Sequence, residues 1–151
     1  MSPSSIIRPT ALLAALPCIT LFAACSSSTG TTGSQTSFPL GSALMTMACD
    51  TGDLDIELKT APTQPLTTGL DGVEVTLTDL QGNPVDGETI TLVPWMPLMG
   101  HGADLVPTLQ AMGKGRYVFT NVNLFMPGEW QLRFEFTGSV ACSAAPTFNV
   151  P

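Results

Sequence analysis

Between Trp130 and Phe136 the chain alternates strictly. Trp130, Leu132, Phe134 and Phe136 fall on one side of an extended backbone, and Gln131, Arg133 and Glu135 fall on the other. A period of two buries one face of a strand and wets the other, whereas a helix with 3.6 residues per turn would scatter these side chains around its surface. The same rhythm recurs at Val73, Val75 and Leu77 against Glu74, Thr76 and Thr78, and at Ile90 and Leu92 against Thr89 and Thr91. No comparable stretch keeps the i, i+3, i+4 spacing that a substantial amphipathic helix requires. Turn signals separate the alternating runs: Asp71-Gly72, Gln81-Gly82-Asn83-Pro84, Asp86-Gly87, Gly113-Lys114-Gly115 and Pro127-Gly128. These limits predict strands over 53–60, 72–80, 88–95, 104–111, 116–122, 129–137 and 145–150. Seven short strands in a stretch of this size define an all-β, immunoglobulin-like antiparallel β-sandwich.

The N-terminal part cannot join such a core. Arg8 is its one charged residue, and an apolar run from Ala11 to Ala24 follows, interrupted by Pro17. That is the layout of a secretory signal, and the run is short for a bilayer span. It ends in Leu21-Phe22-Ala23-Ala24-Cys25, which resembles a bacterial lipobox, with Phe22 as a departure from the usual aliphatic residue. The expectation is a signal peptide over 1–24 and lipidation at Cys25. The tract Ser26–Ser37, "SSSTGTTGSQTS", has no apolar residue with which to pack and reads as a disordered tether. The organisation is then a lipidated linker over 25–43 and a folded domain over 44–151. Ser26, with no aspartate after the lipidated cysteine, resembles the sorting pattern of Gram-negative outer-membrane lipoproteins. The expected location is the cell envelope, on the periplasmic side, with the membrane as a partner through the anchor.

Cysteine usage agrees with export. Cys18 leaves with the signal and Cys25 takes lipid, so Cys49 and Cys142 remain as a pair for one disulfide in an oxidising compartment. A two-thiolate metal site is the other reading of the pair, with no CxxC spacing to support it. Without Arg8, four basic residues face twelve acidic ones. A domain of that charge is repelled by phosphate backbones, so nucleic acid is not an expected partner.

If consecutive strands alternate in direction, each connection is assigned to one end of the sandwich. Cys49, ahead of the first predicted strand, and Cys142, between the last two, fall at one end. Met96, Met99 and His101 in the third connection and Met126 in the fifth fall at the other, while Met45, Met47 and Met112 lie with the cysteines. Thioether sulfur is soft and imidazole borderline, a combination that suits Cu(I). Pro97 stiffens the loop, and Gly100 and Gly102 let it reverse tightly around the chain's one histidine. Methionines also fill irregular gaps at the ends of cores, and Trp95, Leu98 and Leu105 stand close in sequence for such packing.

The segment Thr91–Gly102, "TLVPWMPLMGHG", together with Gly113–Phe134, "GKGRYVFTNVNLFMPGEWQLRF", resembles the YtkA-like family of small exported bacterial β-sandwich proteins. The residues that carry the resemblance are Met96, Pro97, Met99, Gly100, His101 and Gly102, then Gly115, Tyr117, Met126, Pro127, Gly128 and Trp130. The likeness spans roughly residues 70–137. It implies a sandwich similar in style to FixH-type and CopC-type periplasmic proteins, with copper handling as the suspected role. Two functions follow as expectations. One is a lipoprotein that binds Cu(I) through Met96, Met99, His101 and Met126 and exchanges it with a copper donor or acceptor. The other is a metal-free, non-catalytic interaction module that engages an envelope protein. Enzymatic activity is not expected: one histidine, no plausible Ser-His-Asp ordering and no carboxylate pair leave little for acid–base or nucleophilic work. Gly113-x-Gly115 is a hairpin turn with no helix after it to receive a phosphate.

Overall fold

A computed structural model describes residues 37–39 and 41–151. The expected signal peptide, Cys25 and most of the expected tether lie outside the described residues. No helix among the described residues is long and apolar enough to cross a membrane.

Ten strands run from β1 (Met45–Ala48) through β2 (Asp55–Ala61), β3 (Gly69–Thr78), β4 (Ile90–Met96), β5 (His101–Gly102), β6 (Thr108–Gly113), β7 (Arg116–Leu124), β8 (Gly128–Thr137) and β9 (Ala141–Ala144) to β10 (Thr147–Val150). They form two antiparallel sheets, one ordered β1-β2-β3-β7-β6 and the other β10-β8-β4-β5, with β9 also paired to β8. Each of the seven expected strands is present. The three additional ones escaped the alternation rule for separate reasons. β1 is four residues long, too short to establish a period. β5 exists because Gly102 and His101 pair with Trp95 and Met96, which turns an expected loop into a small hairpin. β9 is built from small residues, and it lines up along the same edge of β8 as β10. The fourth expected strand starts late, at Thr108, because Asp104–Pro107 crosses from one sheet to the other.

The alternating apolar residues meet between the sheets. Ile56, Leu58, Val73, Val75, Leu77, Tyr117 and Phe119 from one sheet face Leu92, Trp130, Leu132, Phe134 and Phe136 from the other, all buried. Phe119 and Phe134 make an edge-on contact across the gap, with ring centroids 6.0 Å apart. Such aromatic pairs add to the stabilisation from area burial alone. One bulge interrupts the central β3–β7 pair. Gly72 alone faces Thr120 and Asn121, and Asn121 takes a positive φ of 61°.

The end where β2 begins is called the lower end here. It is closed by polar contacts between connections. Tyr117 donates its hydroxyl to Val85 O at 3.0 Å and accepts the Glu88 amide at 3.0 Å. The buried Glu88 carboxylate accepts the Ser139 amide and hydroxyl and the Val140 amide. Gly115 lies against the Leu77 carbonyl and Val85, so closely that a β-carbon would collide with backbone. Tyr117 therefore ties the β3–β4 connection to the base of β7. Replacing Tyr117 with Phe leaves a buried amide and carbonyl without their partner and should cost about 1–3 kcal/mol. Urea denaturation, with the midpoint falling and the slope unchanged, checks this.

Candidate metal site

Two groups of candidate ligands sit at opposite ends of the sandwich. At the lower end, Cys49 leaves β1 and enters a tight turn, in which the Cys49 amide donates to Leu54 O at 2.9 Å and the Gly52 amide to Cys49 O at 2.9 Å. Cys142 is the second residue of β9. The two meet because Asp50 and Ser143 clamp their neighbours together. The Asp50 amide donates to Ser143 O at 2.8 Å, while Asp50 Oδ1 accepts the Ser143 amide at 2.7 Å and Oδ2 the Ser143 hydroxyl at 2.9 Å. These bonds hold the Asp50 carboxyl below the usual carboxylate range.

Both cysteines are buried free thiols, side by side and unbonded. Their Sγ atoms and an Asp50 carboxylate oxygen all lie within 4.8 Å of one another. Burial pushes the Cys49 thiol up, but hydrogen bonds from Cys142, Thr51 and nearby backbone outweigh it and leave Cys49 lowered. Cys142 is pushed up to about 12, first by burial and then by its hydrogen bond to Cys49. Of the two thiols, Cys49 is the one whose surroundings favour loss of its proton. A soft cation would displace the thiol protons and take the two sulfurs and the Asp50 carboxylate as ligands. This cluster can coordinate a metal ion. Asp50 was not among the residues expected from sequence. Its adjacency to Cys49 was visible there, but the Ser143 contact that aims it exists only in the fold. Cys49 and Cys142 lie far apart in the chain, and what brings them together is the contact between the first turn and β9, which no local spacing could reveal.

At the upper end, Met96 and His101 are directly opposed in the β4–β5 pair, so their side chains share a face. Met96 is buried, and its methyl lies where a β-carbon on Gly128 would come within 2.9 Å. His101 is partly exposed and stacks on Phe125, with centroids 5.7 Å apart, and Phe125 in turn meets Trp130 edge-on. His101 Nδ1 is 3.2 Å from Gly102 O. Met99 sits at the exposed tip of the turn. Met126 packs on the core, and its carbonyl accepts the Trp130 indole N–H at 2.9 Å. Three of the four expected ligands, Met96, His101 and Met126, therefore border one another's elements, while Met99 projects outward.

Two packed antiparallel sheets, with candidate ligands gathered at their two ends, define a small β-sandwich module. The model of the YtkA-like family matches residues 50–135, and the chain belongs to that family. The match reaches further toward the N-terminus than the resemblance carried by the Met/His and Trp motifs. No curated relative matches the sequence. A crystal structure of a DUF4426 family protein from Pseudomonas aeruginosa PAO1 is similar at 15% identity, over 70% of this chain and 93% of that one, with a TM-score of 0.49.

One further ionisable group is out of place. Asp71 faces Val122 across the β3–β7 pair, on the face that also carries Val73, and is 5% exposed. Its Oδ2 has no hydrogen-bond partner among the described residues. Burial alone pushes its carboxyl up to about 7, against an ordinary value near 4. A raised acid is bound to its proton more tightly in the folded chain. Its contribution to stability is full below about pH 4 and is lost as pH rises through 7. Asp71→Asn should therefore flatten the decline in stability between those values and raise the thermal midpoint at pH 8 more than at pH 5. Thermal unfolding at the two pH values measures the difference.

Proposed function

We propose that this protein is a lipid-anchored module of the bacterial cell envelope that binds a soft metal ion, Cu(I), without catalysing a reaction. The observation that carries the metal is the convergence of Cys49, Cys142 and Asp50 within 4.8 Å. Two sulfurs supply the soft donors that Cu(I) prefers, and the absence of a second histidine makes the usual closed zinc sets hard to assemble. The same sulfurs have a second chemistry. Two-electron oxidation, with two protons released to an acceptor, closes them into a disulfide that excludes the ion. In an oxidising compartment the first event at the pair decides between a covalent staple and a bound cation.

A second reading places Cu(I) at Met96, Met99, His101 and Met126. It is supported by the direct pairing of Met96 with His101 and by the β7–β8 turn lying against both. A competition titration with a Cu(I) chelator separates the two. Reduced wild type should bind one equivalent. Cys49→Ser/Cys142→Ser should weaken binding by at least about tenfold, a loss of about 1.4 kcal/mol. The His101→Ala/Met99→Leu variant should bind as wild type does. The opposite pattern transfers the site to the upper end, and no binding in any form leaves a metal-free interaction module. Wild type oxidised before the titration should bind no better than the double cysteine variant.

The anchor rests on Arg8, the apolar run to Ala24, and the Ala23-Ala24-Cys25 junction. By this reading Cys25→Ser releases the chain from membranes or stalls its processing. Fractionation with the membranes, and processing as in wild type, would show that the lipobox reading is wrong.

A further inference from the structure

We infer that the upper end of the sandwich docks on the bilayer, with Leu98, Met99, Leu105, Val106 and Phe125 as the contacting side chains. The inference rests on the lipid anchor proposed at Cys25. Large apolar side chains seldom cluster at full exposure on a soluble domain without an interaction to serve. Here Leu98 is 82% and Val106 85% exposed, and Met99, Leu105 and Phe125 are exposed as well. They come from three separate connections: the β4–β5 turn, the β5–β6 crossing and the β7–β8 turn. Two contacts gather these connections into one surface. Phe125 stacks on His101, and Asp104 accepts the Asn123 side-chain amide at 2.7 Å. The exposed apolar residues at the lower end, Leu80 in the β3–β4 connection and Met112 in β6, belong to separate elements.

The path of the chain selects the occupant. Ser42, ahead of β1, accepts the Gln64 side-chain amide at 3.2 Å, and Gln64 lies in the β2–β3 connection at the upper end. Ser37 borders a surface depression with Pro62 and Leu70 at that same end, and Leu70 is itself exposed. Residues 26–36 separate Ser37 from Cys25. A chain of that length spans no more than about 40 Å even when fully extended. The chain toward Cys25 thus leaves the domain at the upper end, and an acyl chain there holds that end within about 40 Å of the membrane surface.

The exposed acids Asp50, Asp53, Asp55 and Asp86 lie at the lower end together with the exposed Lys114 and Arg116. The upper end presents two exposed acids, Asp104, already engaged by Asn123, and Glu129, so few charges need be desolvated beneath its apolar side chains. Docked in this way, the Cys49–Asp50–Cys142 cluster points away from the membrane into the aqueous compartment.

The test uses the full lipidated chain in vesicles of phosphatidylethanolamine and phosphatidylglycerol. An environment-sensitive fluorophore is attached at Val106→Cys or, as the opposite-end control, at Met112→Cys; labelling of the unsubstituted chain sets the background from the buried thiols. The expected result is a blue shift in vesicles at position 106 and none at 112. Leu98→Ser/Met99→Ser/Leu105→Ser in the Val106→Cys background should abolish the shift while the protein still sediments with vesicles and unfolds at an unchanged urea midpoint. A chain that sediments with vesicles but shows the same emission at 106 as in buffer refutes docking and leaves the anchor standing. A chain that does not sediment refutes the anchor and the docking with it. A shift that appears without vesicles and grows with protein concentration assigns the surface to a second copy of the chain instead.

Discussion

Alternating strand direction is the constraint on which the other features depend. Each connection must return the chain to the end from which the next strand can start antiparallel to its neighbour. Connections that close the same end consequently meet, however far apart they lie in sequence. This brings the turn after β1 against β9, and with it Cys49 against Cys142. It also brings the β4–β5 hairpin against the β7–β8 turn, and with it His101 against Phe125. The core between the ends, centred on Phe119 and Phe134, is the common support that holds the two constellations apart.

Much of this was legible in the sequence, because a half-buried strand leaves a period of two in the order of residues. The runs around Val75, Leu92 and Phe134 gave their strands directly, and their parity assigned each connection to an end. Features made by pairing rather than by pattern were not legible. His101 and Gly102 form a strand only because Trp95 and Met96 offer them an edge. Ala141–Ala144 has too few large side chains to reveal a buried face. Asp50 shows the same limit for chemistry. A carboxylate beside a cysteine is common, and what aims this one is a pair of hydrogen bonds to Ser143, more than ninety positions away in the chain. The split of the Met/His group likewise depends on the turn after β4, where Met96 ends the strand in the core and Met99 stands at the exposed tip.

The lower-end cluster joins stability and binding in the same atoms. A disulfide there would close a long loop and restrict the unfolded chain, whereas a cation would hold the same two elements together only while it stays bound. The bond from the Asp50 amide to Ser143 O lies outside both outcomes and keeps β9 against the first turn in either case. The contact between the Cys49 and Cys142 sulfurs marks where a third partner, electron acceptor or metal, would act.

The interruption of the last edge strand has a consequence for how this domain lives among other proteins. β9 and β10 follow the same side of β8 but are separated at Ala145 and Pro146, where the Pro146 carbonyl still accepts the Leu132 amide at 2.9 Å. The other sheet edges are equally poor templates. β1 has four residues, β5 has two, and β6 ends in a register shift at Met112. A foreign strand seeking a long, flat row of free amides and carbonyls meets a proline, a bulge or the end of the strand within a few residues. A β-rich domain with such edges is thereby built to resist adding its sheets to those of its neighbours.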